Sequence, residues 1–260
     1  MVVAIITVAG ISSRFNQGIP EDKKILKCIY YEKDRNNTLL KHLLDKCSVT
    51  DKIIIVGGYK YKALQEYCIE LPPALYAKLQ FVYNEHFSDF GSGYSLYLGL
   101  QEVFSSLADV SRILFVEGDL DIDRFSFEQI IKSNLNVLTY TTEPIYANKS
   151  VVLFKNQDDR YKYAFNSEHG LLKIEDGFSC ILNSAQIWQF IDISKLKTAS
   201  KQFIQKATAG TNLVIIQNYI DMCNQNDFEV LGIQRWTNCN TREDYKKISV
   251  YWEAEDERIE

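Results

Sequence analysis

Near the N-terminus, Val2-Val-Ala-Ile-Ile-Thr-Val8 forms an almost unbroken apolar run that ends in Ala9-Gly10-Ile-Ser12-Ser13-Arg14-Phe15. A half-exposed strand alternates apolar and polar side chains, so an unbroken run fits a strand covered on both faces, as in parallel sheets clothed by helices. The glycine and serines then turn the chain at the strand's carboxyl end. The run lacks a basic leader and is too short to span a bilayer, so we expect a buried strand rather than a signal peptide or membrane segment.

The same pattern recurs through the first half. Further strands are expected at 52–58, 80–83, 112–117 and 136–140. Between them, Leu39, Leu40, Leu43, Leu44 and Cys47 share one helical face, Tyr61–Tyr67 reads as a short helix, and Leu96–Leu107 as an amphipathic one. Ser126 with Gln129 resembles a capping box that opens another helix. Alternating strands and helices predict an α/β fold with a doubly wound, mostly parallel, Rossmann-like sheet. After about Ala147, short β-like runs (150–154, 161–165, 171–174) alternate with turns, and helices are expected at 184–196 and 201–223. A strand at 229–233 and a short helix near 242–248 follow. We read a single domain over 1–260, with a regularly alternating half at 1–146 and a small β-rich and helical lobe, with the returning strand and helix, at 147–260.

Composition narrows the function. The hydrophobic fraction is 46%, with 16 Tyr and 14 Phe, enough for a sizeable core. A net charge of −5 and the absence of a basic run argue against nucleic-acid partners. The 6 cysteines include no C-x-x-C pair, which suits a reducing cytoplasm. No histidines group with metal-ligand spacing.

Four segments carry chemistry. The turn at Val8–Arg14 brings backbone N–H groups to the edge where open α/β sheets bind ligands, and Arg14 adds a bidentate grip for phosphate; an ordinary β-to-loop turn has the same composition. Glu117-Gly-Asp119-Leu-Asp121-Ile-Asp123 closes the fourth strand. Carboxylates so crowded repel one another without a cation, and hard oxygen ligands suit Mg²⁺, although an acidic loop also caps helices. In the loop after Tyr83, Asn84, Ser92 and Ser95 are short polar groups able to read a base edge, or simply to start a helix. Finally, Asn238 and Asn240 lie in Trp236-Thr-Asn-Cys-Asn-Thr-Arg-Glu-Asp-Tyr245, where Asn240 with Glu243 also fits a capping box.

The segment Ala9-Gly-x-Ser-Ser-Arg-Phe followed by Lys23-Lys-Ile-Leu-Lys27 resembles the signature of GT-A-like sugar-phosphate and small-molecule nucleotidyltransferases. The later segments resemble the choline-phosphate cytidylyltransferases of bacterial surface-polysaccharide pathways. Three positions depart from the pattern: Lys23 replaces a proline, Ser12 replaces the commoner second glycine, and Asn240 replaces an aspartate. The resemblance implies a cytidylyltransferase, with a nucleotide-binding half at 1–146 and an acceptor-binding lobe at 147–260, that takes CTP and a small phosphorylated or phosphonate acceptor; a sugar-phosphate nucleotidyltransferase using another nucleotide and a nucleotide-binding regulator without catalysis are the alternatives. Phosphocholine, phosphoethanolamine, aminoethylphosphonate and a phosphorylated amino acid or amide fit equally. It further implies that Val8, Ala9, Gly10, Ser12, Ser13 and Arg14 hold the triphosphate. Lys24 would stabilise the α-phosphate and leaving pyrophosphate, with Lys23 and Lys27 as alternatives. Asn84, Ser92, Ser95 and Glu117 would contact the nucleotide, and Asp119 and Asn240 would hold Mg²⁺, with Asn238 as the alternative to Asn240. Asp121, Lys149 and Gln186 are the expected acceptor contacts.

Overall fold

The structure is a computed structural model that describes residues 1–146, 150–165, 174, 176–206 and 210–256. In chain order its elements are β1 (Val2–Val8), α1 (Leu39–Cys47), β2 (Lys52–Gly57), α2 (Tyr61–Ile69), α3 (Pro73–Tyr76) and β3 (Leu79–Tyr83). There follow α4 (Ser92–Ser106), β4 (Arg112–Glu117), β5 (Leu120–Ile122), α5 (Arg124–Lys132), β6 (Asn136–Thr141), β7 (Val151–Lys155), β8 (Tyr161–Phe165) and β9 (Cys180–Phe190). The chain closes with α6 (Ile193–Lys206), α7 (Asn212–Met222), β10 (Phe228–Ile233), β11 (Trp236–Asn238) and α8 (Arg242–Asp256).

A nine-stranded mixed sheet has the path β10-β6-β9-β4-β1-β2-β3, with β7 added to β9 and β8 to β7. β1 lies at its centre with Val3, Ala4, Ile5 and Ile6 fully buried, as its unbroken apolar run requires. On one face the sheet packs against α1, α2 and α5 through residues such as Leu40, Leu64 and Phe127. On the other it packs against α4, α6 and α7 through Leu100, Phe203 and Ile216. A smaller cluster joins Phe15, Leu39, Tyr245 and Trp252, so α8 packs beside the turn that follows β1. Among the described residues no helix is long and apolar enough to cross a membrane.

Three expectations are corrected. The helix expected at 184–196 is β9 through Phe190, running antiparallel between β4 and β6. Its neighbours bury both faces, including Trp188, which stacks on Phe115 with ring centroids 5.3 Å apart. β6 therefore does not adjoin β4, although both run in the direction of β1. Secondly, Asp123 caps α5, accepting the Ser126 N–H at 2.7 Å, while the Ser126 hydroxyl accepts from the Gln234 N–H. Thirdly, the box that opens α8 joins Thr241 and Asp244, leaving the Asn240 side chain unspent on capping. The run expected at 171–174 falls almost wholly outside the described residues.

Candidate active site

From β1 the chain winds outward to β2 and β3, then returns to place β4 on the other side of β1. A crevice opens at the carboxyl ends of strands where the winding reverses, since the connections diverge there. A cavity of about 550 Å³ occupies this place, lined by the turn after β1, the end of β4, the loop before α4, Gln186, residues 211–213, Asn238 and Asn240.

The turn after β1 is built by its own side chains. Ser12 adopts a left-handed backbone (φ 55°), a conformation in which glycine is unstrained and serine is uncommon. Its hydroxyl accepts the Lys27 N–H at 3.2 Å. Asn16, almost wholly buried, bonds Ile25 in both directions, donating at 2.8 Å and accepting at 3.1 Å. These bonds fasten 24–27 to the turn and set which lysine points inward. Lys27 Nζ reaches Asp119 Oδ2 at 2.9 Å and lines the cavity. Lys24 instead pairs with Glu21 and is absent from the lining, so of the three candidate lysines it is Lys27 that the fold turns into the cavity.

At the end of β4, Gly118 lets the strands close tightly. A Cβ there would stand 2.3 Å from Val8 Cγ1 and 2.6 Å from the Thr7 carbonyl oxygen. Glu117 and Asp119 flank it. Burial and the neighbouring Asp119 charge raise the Glu117 carboxyl to about 8, opposed by a hydrogen bond from Asn212 and the Lys27 charge. Asp119 Oδ1 is buried with no hydrogen-bond partner.

The last segment arrives from far along the chain. β11 pairs antiparallel with β5, setting Asn238 opposite Leu120, and the Cys239 N–H donates to the Asp119 carbonyl at 2.7 Å. Asn240 Oδ1 accepts from Arg14 at 2.7 Å, and its amide donates to Asn238 at 2.8 Å. Both cavity cations thus rest on polar groups of the site itself.

Val8, Ala9, Gly10, Ser12, Ser13, Arg14, Asn84, Ser92, Ser95, Glu117, Asp119, Gln186 and Asn240 all line the cavity. Asn84 is almost wholly buried and already spends one bond at each end of its amide, its carbonyl accepting the His86 N–H and its NH2 donating to Ser95, each at 2.9 Å. Gln186 sits at a bulge in β9 with φ 59°, a strained conformation that aims a side chain out of the strand's regular alternation. Asp121 is not in the lining: it is 1% exposed, inside a cluster with Lys46, Arg235 and Trp252. Burial and these partners exclude the acceptor contact expected of it. Lys149 lies outside the described residues. The lining also includes Phe87, Phe90, Ser150, Thr211 and Asn212, which the sequence reading missed. Gly210-Thr-Asn212 before a helix was the available signal for the last two.

Among the described residues, no three His, Cys, Asp or Glu side chains group as a metal cage. The donor set nevertheless suits a cation that keeps most of its waters, since Asp119 Oδ1 is buried without a hydrogen-bond partner and the Asn240 amide oxygen lines the same cavity.

Residues 23–252 match a family described as a domain of unknown function, DUF6564. No curated protein matches the sequence. Among solved structures, the inositol-1-phosphate CTP transferase from T. maritima superposes with a TM-score of 0.65 at 13% identity, covering 93% of this chain and 90% of that one. The CTP:phosphocholine cytidylyltransferase from Streptococcus pneumoniae gives 0.57 at 15% identity, over 96% and 99%. A nucleoside-diphosphate-sugar pyrophosphorylase from Vibrio cholerae RC9 gives 0.67 at 14% identity, over 95% and 98%. The expected resemblance is borne out as a fold: the chain has the α/β architecture of nucleotidyltransferases.

Proposed function

The chain belongs to the DUF6564 family of domains of unknown function, and from the site it builds on a nucleotidyltransferase fold we propose that it transfers CMP from CTP to a small phosphorylated acceptor, releasing pyrophosphate. The observation that carries this reading is one cavity, at the β1/β4 reversal, that gathers Arg14, Lys27, Glu117, Asp119 and Asn240. Support for cytosine comes from two structural relatives that are named for CTP.

An ionised oxygen of the acceptor phosphate attacks the α-phosphorus of CTP. A P–O bond forms, the bond to the bridging oxygen breaks, and its electron pair leaves with pyrophosphate. The attacking oxygen already carries its charge, so no protein base or nucleophile is needed. Cys28 lines the cavity, but burial pushes its thiol up and keeps it neutral. The protein's task is to position the reactants and neutralise charge. The turn at Ser12–Arg14 receives the phosphates. Arg14 leaves Asn240, and Lys27 leaves Asp119, to follow them. Asp119 and Asn240 would then hold Mg²⁺, which supplies charge neutralisation on the triphosphate. Ser150, Gln186 and Thr211, all from the 147–260 half, face the acceptor.

Pyrophosphate release measured with CTP, UTP, GTP and ATP against phosphocholine, phosphoethanolamine, aminoethylphosphonate and sugar 1-phosphates tests this reading. Release with CTP in preference to the other nucleotides is expected. Release only with another nucleotide and a sugar phosphate would replace it with a sugar-phosphate nucleotidyltransferase. Tight CTP binding without release for any acceptor would make the chain a nucleotide-binding regulator.

A further inference from the structure

We propose that Asp121 is a positioning residue that, from a buried cluster outside the cavity, fixes the register in which Asn238 and Asn240 face Asp119. The inference rests on the reading above that Asp119 and Asn240 serve one ligand. Asp121 is 1% exposed and Lys46 is 4% exposed. Removing such charges from water is costly, and well-packed apolar side chains often stabilise as much or more. A charged cluster here therefore needs a purpose other than stability.

The local geometry supplies one. β5 and β11 form a two-stranded ladder with only the pairs Ile122–Trp236, Asp121–Thr237 and Leu120–Asn238. So short a ladder has little intrinsic register, and a slip of one residue would turn each side chain to the opposite face. Asp121, on the central pair, prevents the slip from both sides. Its Oδ2 pairs with Arg235, immediately before β11. Its Oδ1 accepts the Trp252 indole N–H of α8 at 2.9 Å and lies 3.8 Å from Lys46 Nζ of α1. Asp123 repeats the fastening by accepting the Arg235 N–H at 3.0 Å. Beyond the ladder, the Cys239 N–H meets the Asp119 carbonyl, and Asn240 meets Arg14. The register set at Asp121 is thereby delivered to the cavity one turn away.

Two variants test the proposal: Asp121→Asn, which removes the charge, and Trp252→Phe, which removes the indole donor with part of its buried ring and keeps a ring against His42. Hydrogen exchange on the ligand-free proteins is expected to rise across residues 236–241 while β1, β2 and β4 keep their protection. In pyrophosphate release, Trp252→Phe is expected to lower kcat about tenfold, as outer supports of a site commonly do. That loss should vanish in an Asn240→Ala background, since the cycle reports a shared route. Unchanged exchange at 236–241, a uniform rise across the whole sheet, or losses that multiply with Asn240→Ala would each overturn it. If the wild-type protein releases no pyrophosphate with any nucleotide, the proposed function falls, while the exchange measurement still decides whether Asp121 sets the register.

Discussion

Asp119 and Asp121 stand two residues apart in one acidic run, yet their surroundings differ in kind. Asp119 is 24% exposed, shares one oxygen with Lys27 and leaves the other without a partner. Asp121 is saturated by an arginine, a lysine and an indole and is shut away from solvent. An incompletely satisfied carboxylate at a strand end is poised to take a ligand, whereas a saturated one can only hold structure. The difference teaches that charge density alone does not mark a site; here it is an unspent carboxylate oxygen beside a cavity that sets Asp119 apart.

The sharpest way to break this comparison is to remove Asp119 or its opposite number across the cavity. Asp119→Ala and Arg14→Ala are each expected to lower pyrophosphate release by at least about 10³-fold, the scale of losing a charge stabiliser in a dry site. Their circular dichroism and melting temperatures should stay near wild type, because neither side chain belongs to the core. Normal turnover in purified Asp119→Ala would show that its orphaned oxygen has no catalytic part.

A second contrast lies between two lysines. Lys27→Ala is expected to cost roughly 10²-fold in kcat/KM, and Lys24→Ala less than about threefold, since Lys24 is spent on an exposed pair with Glu21. Steady-state kinetics on both variants decides the register. A larger loss at Lys24 would return the phosphate role to the residue the motif favours.

The two lysines also show where sequence reasoning reached its limit. The strands β1, β2 and β4 were legible because burial on both faces leaves an unbroken apolar run. α1 was legible because its apolar residues repeat at helical spacing. β9 was not: the bulge at Gln186 interrupts the alternation, and an antiparallel strand inserted from late in the chain leaves no local mark. Many cavity residues could be read because turns at strand ends sit where α/β sheets bind ligands and because their motifs resemble those of a known family. The roles of Lys27 and Asp121 depend on turns and pairings that bring distant segments together, and spacing cannot report those.

The cluster behind Asp121 has its own signature in pH. His42 stacks on Trp252 at 4.0 Å, and burial, with Lys46 and Lys41 nearby, lowers its imidazole to about 3. The unfolded chain would protonate this residue near 6.5. Between those values the unfolded state binds a proton that the folded state refuses, so stability falls as pH falls, by at most about 1.4 kcal/mol per pH unit. Above about 6.5 neither state binds it and the contribution is flat. In urea titrations from pH 7 to 4, His42→Phe should therefore lose less stability than wild type. Parallel curves would mean that His42 takes up its proton in the folded protein.

The smallest expected effect tests the cavity's other wall. Gln186 holds a left-handed backbone at φ 59° that costs a non-glycine residue about 1 kcal/mol. Gln186→Gly relieves that strain and is expected to change stability by no more than about 1 kcal/mol, with glycine's greater unfolded-state entropy opposing the gain. The same substitution removes the side chain that the bulge aims into the cavity. If the strain is kept in order to present that amide, KM for the acceptor should rise about tenfold while KM for CTP stays put. Acceptor and nucleotide titrations on this one variant separate the outcomes. A rise in KM for CTP would move Gln186 to the nucleotide side, and no change in either would leave its strained backbone without a part in binding.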